Sequence, residues 1–290
     1  MRDFKDRVAV VTGAASGIGA ALAEAFGARG MRLVLADIEA SALATVEDTL
    51  RASGVECLSV PTDVGDAEAV QALGKAAVER FGGVHVVCNN AGVAVGGNSW
   101  QQSVQDYEWV FRVNFYGVVN GLRTFVPLLM EQEEETHIVN TSSMAGLTNS
   151  PGFAAYYASK HAVMSLSETL HLELESACPR VGVSVLCPEI VRTRIGDSGR
   201  NRPAPLEATG PSTPEREVYE GSLLSFTAGS PMLPKDIAQR VLRGIEERQF
   251  FILPPAEDPF IQTMEARLEA IHTRHNPGMA ISLEPPILEK

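Results

Sequence analysis

Two side chains in the stretch from Asn140 to Val163 have the types and spacing needed to move a proton: Tyr156 and Lys160. The segment after Pro151 reads as a helix, and positions i and i+4 of a helix share a face one turn apart. A phenol ordinarily ionises near pH ~10, and an adjacent ammonium favours the phenolate. Carrying that ionisation down to neutral pH requires roughly 4 kcal/mol of differential stabilisation, which one close ammonium in a dry site helps to supply. Ser143 stands thirteen residues upstream of Tyr156, where the β-rich run His137 to Ser142 gives way to Gly and Pro. A hydroxyl at a strand's carboxyl end faces the edge where open α/β sheets bind ligands. Alone, Tyr-x-x-x-Lys is commonplace on amphipathic helices; joined to Ser143 and a glycine turn it becomes a candidate for acid–base chemistry.

The glycine turn lies near the amino terminus. Arg7 to Thr12 is an apolar, β-branched run with the look of a strand buried on both faces. Gly13, Ser16, Gly17, Ile18 and Gly19 follow in a G-x-x-x-G-x-G spacing, and then a helix-forming segment begins. Glycines at such a turn let backbone N–H groups approach a diphosphate, and the helix start adds partial positive charge. Asp37 ends the next strand, eighteen residues beyond Gly19. Its carboxylate can accept both hydroxyls of an adenosine ribose and would repel a 2′-phosphate; it can equally cap the next helix. Ile38 follows, and the glycine turn carries Ala14 and Ala15, so no Arg or Lys is on hand for an extra phosphate. The expected cofactor is NAD(H) rather than its phosphorylated counterpart.

Further along, strands are expected at Val55 to Val60, Val84 to Cys88, Val181 to Cys187 and Gln249 to Leu253, with helices between them. Asp66 is placed to cap one helix, and Gly82-Gly83 to break it. One long helix, Val104 to Glu131, carries Asn114 among apolar neighbours. That amide either bends the helix, holds a water, or is a core polar group satisfied locally. Strictly alternating β and α units imply a parallel, doubly wound sheet of the α/β class. Arg192 to Pro234 is rich in Gly, Pro, Ser and Thr and reads as an irregular substrate lid.

Composition sets the bounds. The 290 residues hold no charge block or low-complexity linker, so one large domain is expected. A net charge of −12 argues against a nucleic-acid partner, which requires a basic footprint. The start lacks the apolar core of a secretory signal and no apolar run approaches bilayer-spanning length, so a cytoplasmic protein with no membrane partner is expected. Cys57, Cys88, Cys178 and Cys187 have no metal spacing and suit a reducing compartment. His272 and His275 lack acidic or Cys partners, and no metal site is expected.

Together these residues resemble the short-chain dehydrogenase/reductase family over about Lys5 to Leu253. The glycine motif matches Thr12 to Gly19, an Asn-Asn-Ala-Gly motif matches Asn89 to Gly92, and the catalytic Asn, Ser, Tyr and Lys match Asn114, Ser143, Tyr156 and Lys160. Ser142 is an alternative to Ser143, which the thirteen-residue offset favours. An adenine-contacting Asp-Val pair matches Asp63 and Val64, and the cofactor would also meet Asn90, Ala91 and Gly92. The motif that holds the nicotinamide carboxamide matches Pro188, Ile190, Val191 and Thr193.

The resemblance implies a Rossmann-type single domain with a seven-stranded sheet in the order 3-2-1-4-5-6-7. This would occupy residues 1–253, with the lid at about 190–234 and an extension at 254–290 packing on the domain or on a partner subunit. It implies a homodimer or homotetramer, with Tyr156 as acid/base and Lys160 tuning it and binding the nicotinamide ribose. Ser143 would hold the substrate oxygen, and Asn114 a water leading to Lys160. Val93, Ala94, Val95, Met144, Phe153, Ile190 and Val191 would form a mostly apolar wall, favouring a lipophilic or aromatic secondary alcohol or its ketone. The alternatives are a carbonyl or 3-oxoacyl reductase, or a non-catalytic dinucleotide sensor. Glu189 departs from the family, which usually has Gly there; its carboxylate either hydrogen-bonds a polar substrate or points to solvent.

Overall fold

The computed structural model describes residues 1–207 and 212–278. Seven parallel strands form one sheet: β1 (Val8–Thr12), β2 (Arg32–Asp37), β3 (Cys57–Pro61), β4 (Val86–Asn89), β5 (Thr136–Thr141), β6 (Val181–Leu186) and β7 (Phe251–Ile252). Their order is β3-β2-β1-β4-β5-β6-β7, as expected. The chain reverses its direction of travel across the sheet between β1 and β4, which opens a crevice at the strands' carboxyl ends.

Period-two alternation sends successive strand residues to opposite faces. Ala9, Val11, Leu33 and Leu35 pack under α1 (Gly17–Ala28), α2 (Ala40–Ala52) and α8 (Pro234–Glu247). Val8, Val10, Val34 and Ala36 pack under α3 (Ala67–Phe81), α5 (Gly117–Glu131) and α6 (Ala154–Ala177). Because both faces are covered, the strands read as continuous apolar runs. Truncating a fully buried residue such as Leu35 to Ala would cost about 2–5 kcal/mol. Asp66 caps α3 by accepting from the Glu68 and Ala69 N–H groups, and Gly82 ends it at a φ of 83°. Both ends match expectation.

Two elements differ from the sequence reading. The long helix is α4 (Val104–Phe111) and α5 separated by a π-helical turn, Arg112–Tyr116, with Asn114 at its centre. The wider turn appears where a buried amide takes partners off the helix, a feature that hydropathy cannot report. The segment read as irregular contains a 16-residue helix, α7 (Pro214–Gly229), whose Thr213 side chain accepts from the Arg216 N–H. Thr213, Pro at the first helical position and two early glutamates are helix-start signals, outweighed in the sequence by the surrounding Gly and Ser. The lid expectation also covers 208–211, and the extension covers 279–290; both lie outside the described residues.

Within the extension, α9 (Pro259–Thr273) lays Phe260, Ile261 and Met264 against Met144 and Met164. Arg267 Nη1 donates to Leu147 O at 3.3 Å, so α9 braces the turn that follows Ser143. No helix among the described residues is long and apolar enough to cross a membrane.

Candidate active site

The crevice begins at the glycine turn. Gly13 and Gly17 take φ of 67° and 57°, a region that disfavours side chains. A Cβ on Gly19 would stand 2.0 Å from Gly13 O, so the third glycine is required by the tightness of the turn itself. Ser16 caps α1 without spending its hydroxyl on the helix. Thr12 Oγ1 accepts from the Asn90 and Ala91 N–H groups, and Asn90 Nδ2 donates to Thr12 O, which fastens β4's end to the turn.

At the far end, Asp37 accepts from Ala15 N at 2.9 Å and Glu39 N at 3.0 Å, one bond on each oxygen. A carboxylate has about four acceptor sites, so two remain for vicinal hydroxyls. Asp37 does not cap α2, whose N-cap is Glu39; its carboxylate brackets the turn before that helix and keeps two sites that suit a ribose acceptor. Asp63 is committed to Gly65 N and to the Arg112 guanidinium, at 2.9 and 2.7 Å.

Gly13, Ser16, Gly17, Ile18, Asp37, Asp63, Val64, Asn90, Ala91, Gly92, Tyr156, Lys160, Pro188 and Thr193 line this one cleft. Gly19 lies beneath the turn, Val191 is buried in the core under α1 and α8, and Ile190 O accepts from Ser230 Oγ.

Tyr156 and Lys160 face the middle of the cleft from α6. Lys160 Nζ donates to Thr141 O at 2.9 Å and sits 5.6 Å from the phenol ring's centroid. Ser142 is buried and donates to Lys160 O, so it serves the helix backbone. Ser143 accepts from Ala145 N and flanks the Tyr156 hydroxyl. Asn114 is buried: Oδ1 accepts from Val93 N at 2.8 Å, and Nδ2 donates to Val93 O and Ser159 Oγ, both at 3.0 Å. A Cβ on Gly92 would lie 3.5 Å from both Asn114 Oδ1 and Lys160 Nζ, so the two polar groups converge on one spot.

The electrostatics correct one expectation. Burial pushes the Tyr156 phenol up to about 12, with Ser143 pulling the other way, and burial lowers the Lys160 ammonium to about 8. Loss of water outweighs the Ser143 hydrogen bond, and Lys160 is bonded to the Thr141 carbonyl rather than to the phenol oxygen. In the cofactor-free protein the phenol holds its proton.

Three further expectations change. Glu189 faces neither substrate nor solvent: both its oxygens accept from Arg240 on α8, at 2.8 and 2.9 Å. A bidentate partner is the most stable arrangement for a carboxylate at this depth, and the sequence placed none nearby. Met144, assigned to the substrate wall, is buried among Met164, Val185 and Cys187. Basic groups are also at hand: Arg194 and Arg200, from the segment after β6, line the cleft with Ile38 and Glu39. They arrive from about 160 residues away, beyond any local signal.

Of the other expected wall residues, Phe153 lies against α7, and Val95 joins a separate apolar cluster. Phe153 packs edge-on to Tyr219 at 5.9 Å, and Val93 and Val95 join Trp109 and Ala155. Asp106, on α4, accepts from both Arg202 and Arg216, pinning the segment after β6 and α7 to one buried carboxylate. Tyr219 and Arg202 carry no local signal; Asp106 shows only a Ser103-x-x-Asp capping box, which marks a helix start and not an ion-pair hub.

A hydroxyl, a phenol and an ammonium therefore stand at the mouth of a glycine-turn cleft, and residues 7–203 match the family described as short chain dehydrogenase. The chain belongs to the short-chain dehydrogenase/reductase family. It is an oxidoreductase of that family, whose members use nicotinamide cofactors. A short-chain dehydrogenase/reductase from Burkholderia phymatum, solved in complex with NAD, superposes with a TM-score of 0.94 at 44% identity, covering 97% of this chain and 100% of that one. The CLA biosynthesis dehydrogenase/reductase of Lactiplantibacillus plantarum is 32% identical over 92% of this chain and 95% of its own. The 1-deoxy-11-beta-hydroxypentalenate dehydrogenase of Streptomyces avermitilis is 41% identical over 71% and 75%.

Proposed function

We propose that this short-chain dehydrogenase/reductase interconverts a lipophilic or aromatic secondary alcohol and its ketone with NAD(H). The observation that carries the reading is the pair Tyr156 and Lys160, with Ser143 hydrogen-bonded to the Tyr156 hydroxyl, on a cleft whose other end presents Asp37. The residues suit the cofactor: the glycine turn admits a diphosphate, and Asp37 keeps two acceptor sites for ribose hydroxyls. The bound nicotinamide would supply or accept the hydride. Ser143 donates to the substrate oxygen and steadies the charge that develops there. Tyr156 takes the hydroxyl proton in oxidation and returns it in reduction. Lys160 holds the nicotinamide ribose, and Asn114, on its π turn, fixes the loop at Val93 and a proton path towards Lys160. Val95, Phe153 and Tyr219 exclude water and select apolar substrates.

The Streptomyces relative is by name a dehydrogenase of a hydroxy compound, which supports the alcohol side. A phenol held protonated supports carbonyl reduction as the second reading. The protein is proposed to work as a homodimer or homotetramer, burying exposed Val104, Tyr116 and Leu172 from α4, the π turn and α6. The test is a panel of secondary alcohols and ketones with both cofactor types, followed by nicotinamide absorbance. Cofactor binding with no turnover across the panel would leave only a dinucleotide sensor.

A further inference from the structure

A second carboxylate faces the adenosine end of the cleft. Glu39, on the turn into α2, accepts through Oε1 from Arg200 Nε and Nη2 at 3.0 and 2.7 Å and from Asn201 Nδ2 at 2.9 Å. Arg194 Nη1 stands 4.0 Å from its Oε2. These partners come from the strap after β6; Arg200 is 161 residues further along the chain. Arg200 spends its remaining nitrogen, Nη1, on the Arg194 and Asp197 carbonyls, so the guanidinium is nearly saturated. Its hydrogen bonds hold the Glu39 carboxyl below the usual carboxylate range.

A guanidinium lining the cleft beside Asp37 and Ile38 is the group a ribose 2′-phosphate would pair with, through two parallel N–H bonds. Here that fork is already engaged. We propose that Glu39 is a specificity-determining residue, which selects against the phosphorylated cofactor by occupying Arg200. Asp37 and Glu39 then have separate tasks: one accepts ribose hydroxyls, and the other masks the cation that a 2′-phosphate would need. The inference rests on the NAD(H) reading above and deepens it. A bracing role alone would predict something different, because loosening the strap would weaken both cofactors alike.

The test is fluorescence titration of NADH and NADPH into wild type, Glu39→Ala, Arg200→Gln and the double variant, with thermal melts to confirm folding. Glu39→Ala is expected to improve NADPH affinity about tenfold relative to NADH, equivalent to about 1.4 kcal/mol. The double variant is expected to lose that gain. An unchanged ratio, equal weakening of both cofactors, or a gain that persists without Arg200 would each overturn the proposal. A wild type that prefers NADPH would instead overturn the cofactor reading itself, which the same titration reports separately.

Discussion

Lys160 lies one helical turn from Tyr156, yet its ammonium is bonded to Thr141 O at 2.9 Å while standing 5.6 Å from the phenol ring's centroid. The two side chains share no hydrogen bond, so in the proposed mechanism the ammonium acts on the phenol only through its field. Burial outweighs the Ser143 hydrogen bond and pushes the phenol up to about 12. A positively charged oxidised nicotinamide beside the phenol would shift the balance towards the phenolate.

Tyr156→Phe removes the proposed proton carrier without changing shape. Turnover should fall below a few per cent of wild type, while NADH binding, read by fluorescence, stays nearly intact. In the wild type, kcat/KM for alcohol oxidation should rise with pH, because the phenol, at about 12 without cofactor, must be deprotonated to act. Ketone reduction should fall over the same alkaline range. Substantial activity in the phenylalanine variant would identify a different proton carrier.

Lys160 costs stability for the sake of function. Its folded value of about 8 lies below the unfolded 10.5, so between these pH values the unfolded chain binds more protons and stability rises with pH. Below about 8 the penalty of the buried charge is present in full. Lys160→Met should abolish turnover yet stabilise the cofactor-free protein at neutral pH by on the order of 2 kcal/mol. That advantage should shrink from about pH 8 towards 10.5, as measured by urea denaturation across the range.

Asp106 is buried and compensates two arginines, Arg202 on the strap after β6 and Arg216 on α7. Asp106→Asn leaves those guanidiniums short of charge and should cost about 3 kcal/mol. Because Tyr219 of α7 packs on Phe153, the substrate KM should rise more than the NADH dissociation constant. Equal changes in both would mean that the lid carries no substrate contact.

Glu189→Gln breaks the bidentate pair with Arg240 and leaves a largely buried guanidinium undercompensated. The expected result is a lower melting temperature, from a loss of about 3 kcal/mol, with the order of substrate preference unchanged. A reordered substrate panel would return Glu189 to the substrate's surroundings.

The doubly wound parallel sheet, the glycine turn and the positions of Tyr156, Lys160 and Ser143 were legible because each rests on a local rule, whereas the strand order came from the family resemblance. Strand alternation, a tight turn's need for glycine and the i, i+4 geometry of a helix operate over a few residues. The choice between Ser142 and Ser143 was already different. Adjacent strand-end residues point to opposite sides, and only the packed helix shows that Ser142 donates to Lys160 O. Met144 and Val191 likewise turned into the core, because side-chain direction after a strand depends on what packs against it.

By itself, the amino-acid sequence determined a doubly wound sheet, a dinucleotide-type turn and a serine–tyrosine–lysine cluster beside it. Tertiary structure alone decided which charges meet: Glu39 with Arg200, Asp106 with Arg202 and Arg216, and Glu189 with Arg240. The reason is physical. Hydrophobic period and turn geometry are encoded by neighbours in the chain, whereas the partner of a charge is set by which distant segment the fold brings within hydrogen-bonding reach.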